Sequence, residues 1–196
     1  LCDVRAVYYK DESYRFGLKS FKALGGAYAV AKLVDTEKKA GRDPAQLTVT
    51  TATDGNHGRS LAWGAKSAGC RAEIYIHKHV SAAREIAMSS YGANVTRVSG
   101  NYEASLAACK ADAKMHGWHI VSDTSLSGYR NILLLIMAGY TLVSQEVIKQ
   151  LGANKLTHCF LPIGVGGLAG GIVAPIWQQM NANLPCMISV ESHMSF

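Results

Sequence analysis

The sequence predicts an α/β fold of parallel sheets with flanking helices, and three observations carry that prediction. Short runs rich in Val, Ile and Thr alternate with longer stretches of helical period, the pattern of βαβ units. Two glycine-rich turns, Gly55-Asn56-His57-Gly58 and Gly164-Val165-Gly166-Gly167, each follow an apolar run and open a helical stretch. Hydrophobic residues fill 48% of the 196 positions, a globular composition with room for one domain or two small ones.

The elements follow in order. Val4–Tyr9 reads as a strand. Ser20 is a candidate N-cap, with Phe21, Leu24, Tyr28 and Ala31 on one helical face and Gly41 and Pro44 closing the region. Leu47–Ala52 is a Thr- and Val-rich strand. His57–Ala68 is a helix with Asn56 as candidate cap and Gly69 as stop. A strand at Ala72–Ile76 precedes a helix at Ser81–Tyr91, capped by Ser81 and closed by Gly92. Then come a strand at Asn94–Val98, a helix at Asn101–His116 closed by Gly117, and a strand at Trp118–Ser122. A long helix over Asn131–Leu151 ends at Gly152. A strand at Thr157–Leu161, a helix at Leu168–Met180 and a strand at Cys186–Val190 complete the alternation. The tail from Ser192 to Phe196 carries no helix or strand signal.

Charge and composition narrow the function classes. The net charge is +6, but the basic residues are dispersed, Lys38-Lys39 is the only basic doublet, and no aromatic-basic stripe accompanies it. That argues against nucleic acid and suits a small anionic ligand. The apolar run from Ile132 to Met137 is interrupted by Gly139, Tyr140, Thr141 and Ser144, so it predicts a buried amphipathic helix rather than a membrane span. The first residues, Leu1 to Arg5, lack the order of a signal peptide and include no initiating Met, as expected of a sequence that begins inside a longer protein. The five cysteines are far apart and include no Cys-x-x-Cys, which argues against a metal site or disulfide framework and for reduced thiols in a cytoplasmic protein.

Four constellations carry chemistry. Lys22 follows Ser20 and Phe21 at a helix start, where the helix dipole disfavours an ammonium and favours a neutral, nucleophilic amine; a solvated first-turn lysine is the plain alternative. The turn from Gly164 to Gly167, opening a helix at Leu168, presents backbone N–H groups and a helix N-terminus to an anion. It lacks the Gly-Lys-Ser/Thr of a Walker A loop. Gly164, Gly166 and Ala169, with Glu191 after the next strand, also meet a relaxed dinucleotide fingerprint. In Thr53-Asp54-Gly55-Asn56-His57-Gly58 a structural turn explains the glycines and Asn56, and leaves Asp54 and His57 unexplained. Asp123 ends a strand ahead of Thr124, Gly128 and Tyr129, either capping that turn or projecting into the same cleft as Asp54.

In order, Lys10-x-Glu12, Ser20-Phe21-Lys22, Gly55-Asn56-His57-Gly58 and the Gly164–Gly167 turn resemble the pyridoxal-phosphate enzymes of fold type II, the tryptophan synthase β-subunit-like group. Within it, Lys10-Asp11-Glu12-Ser13-Tyr14-Arg15-Phe16-Gly17, Phe21-Lys22-x-Leu24-Gly25-Gly26, Thr53 to Arg59, Ala62-Trp63, Asp123-Thr124 and Gly128-Tyr129 resemble the diaminopropionate ammonia-lyases. The resemblance implies that Lys22 holds pyridoxal phosphate as a Schiff base, that Gly164, Val165, Gly166, Gly167 and Leu168 bind its phosphate, and that Asn56 bonds its ring hydroxyl. It implies Asp54 as base toward a D-isomer, Lys22 as base toward an L-isomer, and Asp123 as a further carboxylate of the site. Dehydratases of the group usually carry a small or hydroxyl residue at the position of Asp54; a carboxylate there complements a second, cationic amine on the substrate.

A small amino-acid substrate, a homodimer, and neither nucleic acid nor membrane as partner complete the expectation. Members of the group are about twice this length, and the resemblance stops near Glu191. The domain expectation is therefore a shared strand and lysine segment over 1–22, a small α/β domain over 23–125, and an incomplete part of the large cofactor-binding domain over 126–196. The missing part would supply the partner of the pyridine nitrogen, and its absence would expose apolar surface around 131–151 and favour self-association. A serine/threonine dehydratase-like lyase, a non-catalytic cofactor-binding remnant and a nucleotide-binding module are the competing readings.

Overall fold

The computed structural model describes residues 4–125, 130–180 and 184–192. Gly128, Tyr129 and His193 to Phe196 lie outside them. A 3-10 turn at Arg15–Gly17 leads to α1 (Lys22–Lys39), and a second at Pro44–Gln46 leads to β1 (Thr48–Ala52). Then follow α2 (Asn56–Ala68), β2 (Arg71–His77), α3 (Ala82–Ser89), β3 (Asn94–Val98), α4 (Tyr102–His116) and β4 (His119–Ile120). The last elements are α5 (Arg130–Leu151), β5 (His158–Pro162), α6 (Gly167–Met180) and β6 (Cys186–Val190). Among the described residues all strand pairings are parallel. One sheet has the order β3-β2-β1-β4 and the other pairs β5 with β6.

β1 is buried along its whole length, as a central strand with helices on both faces must be. Its register, Thr48 opposite Arg71 through Ala52 opposite Tyr75, lets β2 run on to His77 beside the turn that follows β1. The main core joins Leu24, Val30 and Leu33 of α1, Val49 of β1, Leu61 and Ala65 of α2, and Ile74 and Ile76 of β2. It continues into Ile136, Tyr140 and Val143 of α5 and Ile172 and Ile176 of α6.

Three sequence expectations change. Val4–Tyr9 belongs to no sheet: Val7 is 84% and Tyr9 85% exposed, and among the described residues no strand pairs with it, so its β-propensity has no ladder to join. The caps shift by one residue. Phe21 and Gly55 hold the cap positions of α1 and α2, although the Ser20 hydroxyl still accepts the Lys22 N–H at 3.2 Å. The face of α1 also differs. Tyr28 and Ala31 are exposed, while Ala23, Leu24, Gly25, Gly26, Ala27, Ala29 and Val30 are buried, because α1 packs against α2 on one side and α5 on the other.

That sandwiching depends on glycine. A Cβ at Gly139 of α5 would overlap the Leu24 carbonyl, and one at Gly25 would overlap the Tyr140 ring. Gly139→Ala is expected to cost about 3 kcal/mol, since backbone must move to relieve the overlap. Ala31→Ser, on the exposed face, should stay within about 0.5 kcal/mol. Denaturant midpoints of the two variants check this.

α5, at 22 residues, is longer than its apolar run suggested and long and apolar enough by composition to cross a membrane. Here 22% of that apolar window is buried, along the stripe that packs on α1 and α6, so the expectation of a buried helix holds for one face. Ile136, Tyr140, Val143 and Ser144 are buried, the Ser144 hydroxyl reaches the Gly171 carbonyl of α6, and Glu146 is ion-paired.

Glu146 anchors the segment before α1. Arg15 bonds both Glu12 and Glu146, at 2.7 and 2.6 Å, and Lys10 reaches Glu146 at 2.6 Å. These bonds, Arg15 first, hold the Glu146 carboxyl down to about 2 against burial. The Phe16 ring stacks on Trp63 at 5.1 Å, and the Arg59 guanidinium donates to the Leu18 carbonyl. This bracing fixes Phe16 and Lys19 in the left-handed region, at φ 50° and 52°. The charged run Lys10 to Ser13 is thus part of a clasp that delivers the chain to Lys22.

Candidate active site

The segments after β4 and β5 and the start of α1 converge on one cleft, as expected at the carboxyl edge of an open parallel fold. Lys22 opens α1. Its carbonyl accepts from the Ser60 hydroxyl of α2 at 2.8 Å, so α2 latches the turn that carries the amine. Nζ stands 2.5 Å from Asp123 Oδ2 and 5.5 Å from the centre of the Phe21 ring.

Asp123 follows β4. His57, buried in the first turn of α2, bonds the Val121 carbonyl through Nε2 at 2.8 Å, so Nε2 is the protonated donor. Its Nδ1 lies 3.8 Å from Asp123 Oδ2. Burial alone would raise the Asp123 carboxyl; the charges of His57 and Lys22 and the hydrogen bond from Lys22 outweigh it and hold the pKa below the ordinary carboxylate value. His57 therefore ties α2 to the segment bearing Asp123. The Thr53 hydroxyl accepts from Gly55 and Gly58 N–H, both at 3.1 Å, and shapes the turn into α2.

A cavity of about 260 Å³ is lined by Phe21, Lys22, Asp123, Tyr140 and the run from Pro162 to Ala169. That run carries β5 into the N-terminus of α6, whose first amides have no intrahelical acceptor. Gly166 has φ +84°, and a Cβ at Gly164 or Gly166 would enter open space. Bare amides, a helix N-terminus and an amine in one cavity form a donor set that fits a phosphorylated aldehyde.

Lys22, Asp123 and Gly164, Val165, Gly166, Gly167 and Leu168 are thus brought together. Asp54 and Asn56 are not in the cavity lining. Asp54 is exposed, its carboxylate on His77 Nε2 at 2.9 Å and its carbonyl on Arg84 Nη1 at 2.9 Å. Asn56 is exposed beside Arg59. Sequence reasoning missed Ser60 and Tyr140. Nothing in the helical pattern marks Ser60. The Gly139-Tyr140-Thr141 interruption of an apolar helix was the available signal for Tyr140. Among the described residues no His, Cys, Asp and Glu cluster suits a metal ion, and Cys70, Cys109, Cys159 and Cys186 are free thiols.

Fold and cleft together bring a lysine, a carboxylate and a glycine turn into one cavity on parallel α/β sheets, a donor set of the kind that suits an anionic carbonyl ligand. The chain belongs to the pyridoxal-phosphate dependent enzyme family, which matches residues 1–195. It is 34% identical to the diaminopropionate ammonia-lyase of Salmonella typhimurium over 208 residues, covering 97% of this chain and 52% of that protein. The apo crystal structure of the Escherichia coli diaminopropionate ammonia lyase superposes with a TM-score of 0.87 at 37% identity, over 93% of this chain and 52% of that one. The same enzyme in complex with an aminoacrylate-PLP azomethine reaction intermediate gives 0.83 at 36% identity, over 93% and 49%. The architecture is that of PLP fold type II, and the chain spans about half the length of the curated relatives it matches.

Proposed function

We propose that this chain serves a pyridoxal-phosphate dependent ammonia-lyase reaction on D- and L-2,3-diaminopropionate, giving pyruvate and ammonia. The observation that carries the reading is the Lys22 amine, 2.5 Å from Asp123, in the same cavity as the glycine turn at the N-terminus of α6. The relatives named above support the substrate. Lys22 would hold the aldehyde carbon of the cofactor, the backbone of Gly164, Val165, Gly166, Gly167 and Leu168 its phosphate, and Asn56 its ring hydroxyl. When bound, the cofactor supplies a conjugated ring that accepts the electrons released as substrate Cα loses its proton.

The residues divide the remaining work. Asp123 is held ionised by its neighbours, so it orients the Lys22 amine and favours a cationic substrate nitrogen beside it. Lys22 takes the Cα proton of the L-isomer and Asp54 that of the D-isomer. To act, Asp54 exchanges His77 for the substrate. In the same reading 23–125 is the small domain, built on the four-stranded sheet, 126–196 belongs to the large domain, and 1–22 is the lysine segment shared with the large domain. The working form is a cytoplasmic homodimer that engages neither nucleic acid nor membrane.

The test is pyruvate release with pyridoxal phosphate present, from D- and L-diaminopropionate, serine and threonine. Turnover of both diaminopropionate isomers well above the hydroxyl substrates is expected; preference for serine or threonine would mark a dehydratase. Asp54→Asn is expected to lower D-isomer turnover about 10²- to 10⁴-fold, the range for loss of a general base, and to spare cofactor binding. D-isomer turnover equal to the parent's would remove Asp54 from the role.

A further inference from the structure

Tyr140 stands apart from the residues already given a role. It is 1% exposed and lines the cavity. Its hydroxyl is buried and has no hydrogen-bond partner among the described residues. Leaving a buried hydroxyl unpaired costs about 1–3 kcal/mol, and buried polar groups are nearly always satisfied, so an orphan of this kind calls for a partner that arrives later. Phenylalanine would fill the same space without that cost.

The ring cannot turn away to find another acceptor. Phe21 meets it edge to face at 5.3 Å. A Cβ at Gly25 would overlap the ring, and one at Gly171 would lie 2.7 Å from Tyr140 Cβ. On the cavity side a Cβ at Gly167 would lie 3.8 Å from Tyr140 Cε2, which puts the ring edge against the first residue of α6. Burial, and then the charge of Asp123, push the phenol up from its ordinary value, so it remains a neutral donor at working pH. The ring that carries this donor without an acceptor therefore borders a helix N-terminus with free amides.

We propose that Tyr140 is a ligand-binding residue of this cavity: its phenol donates a hydrogen bond to an oxygen of the phosphate group held on the Gly164–Leu168 turn, and lacks a partner until that anion arrives. The proposal rests on the cavity being the pyridoxal phosphate site. It adds a side-chain donor, carried on α5, to an anion site otherwise made of backbone amides.

Tyr140→Phe keeps the ring and removes the hydroxyl. Equilibrium dialysis of the full chain with pyridoxal phosphate, and separately with pyridoxal, reads the effect. Pyridoxal phosphate is expected to bind the variant about 10-fold more weakly than the parent, as for loss of a hydrogen bond to a charged group. Pyridoxal, which lacks the phosphate, should bind both proteins alike, and the ligand-free variant should melt no lower than the parent. Equal pyridoxal phosphate affinities, or an equal loss for both aldehydes, would overturn the proposal. A parent that binds no pyridoxal phosphate would instead bring down the cofactor reading on which it rests. A readout in the otherwise unaltered chain uses fluorotyrosine placed at position 140. Inorganic phosphate should shift its fluorine resonance, and an unmoved resonance at saturating phosphate would also overturn the proposal.

Discussion

Lys22→Ala is expected to abolish the visible absorbance that pyridoxal phosphate acquires on binding the parent, and to reduce pyruvate formation by at least about 10³-fold. Among the described residues lining the cavity, Lys22 supplies the only amine. Its backbone is fixed from two sides, by the Ser20 hydroxyl on its N–H and the Ser60 hydroxyl on its carbonyl, so truncation at Cβ removes the nucleophile and leaves the turn standing. A titration of absorbance against added cofactor, with far-ultraviolet circular dichroism as the folding control, decides the matter. A variant that is folded and keeps the parent's visible band would show that another group holds the aldehyde.

Asp123→Asn carries the second large effect. Asparagine keeps the shape and a hydrogen-bond acceptor but leaves the Lys22 ammonium without its counter-ion, with His57 still within 4 Å of the substituted position. Removing one partner of a buried pair costs about 3–5 kcal/mol, and the partial exposure here, 24% for Lys22 and 18% for Asp123, reduces that to roughly 1–2 kcal/mol of stability. The pH dependence follows from the depressed carboxyl. The pair's contribution is complete above the ordinary aspartate value of 3.8 and is lost as pH falls through the lower folded value. The melting temperatures of the parent and of the Asp123→Asn variant should therefore differ most near neutrality and converge in acid. A constant gap down to low pH would mean that the charge of Asp123 contributes nothing. Turnover of diaminopropionate should fall more than stability does, because the same carboxylate sets the direction of the amine.

Much of this was legible from the chain. The alternation of β-branched runs and helical periods placed nearly every strand and helix, with β3 and β6 matching their expected bounds although both are largely exposed edge strands, because β-propensity and the flanking turn residues mark them as well as burial marks β1. The glycine turn after β5 and the carboxylate after β4 were legible because strand ends are where such turns must lie. Three things were not. The face of α1 escaped the periodic pattern because a helix gripped on two sides has no single apolar stripe, and its closest contacts are made by Gly25 and Gly26. Val4–Tyr9 carries the residues of a strand, and pairing is a property of neighbours rather than of the segment. Asp54 reads as a residue of the Lys22 cavity because it stands at a strand end, yet its carboxylate turns to His77 while Thr53 and His57 are buried.

The glycine-tight seat of α1 has a practical consequence for anyone who must attach something to this molecule. With Gly139 against Leu24 on one flank and Gly64 against Ala27 on the other, the helix cannot roll about its own axis, so the direction of Lys22 is insulated from whatever happens on the opposite surface. Tyr28, Ala31, Lys32 and Asp35 form that outward face. A dye, a spin label or a surface tether can be carried there, a few turns from the reactive amine, and report on the cleft without re-aiming it.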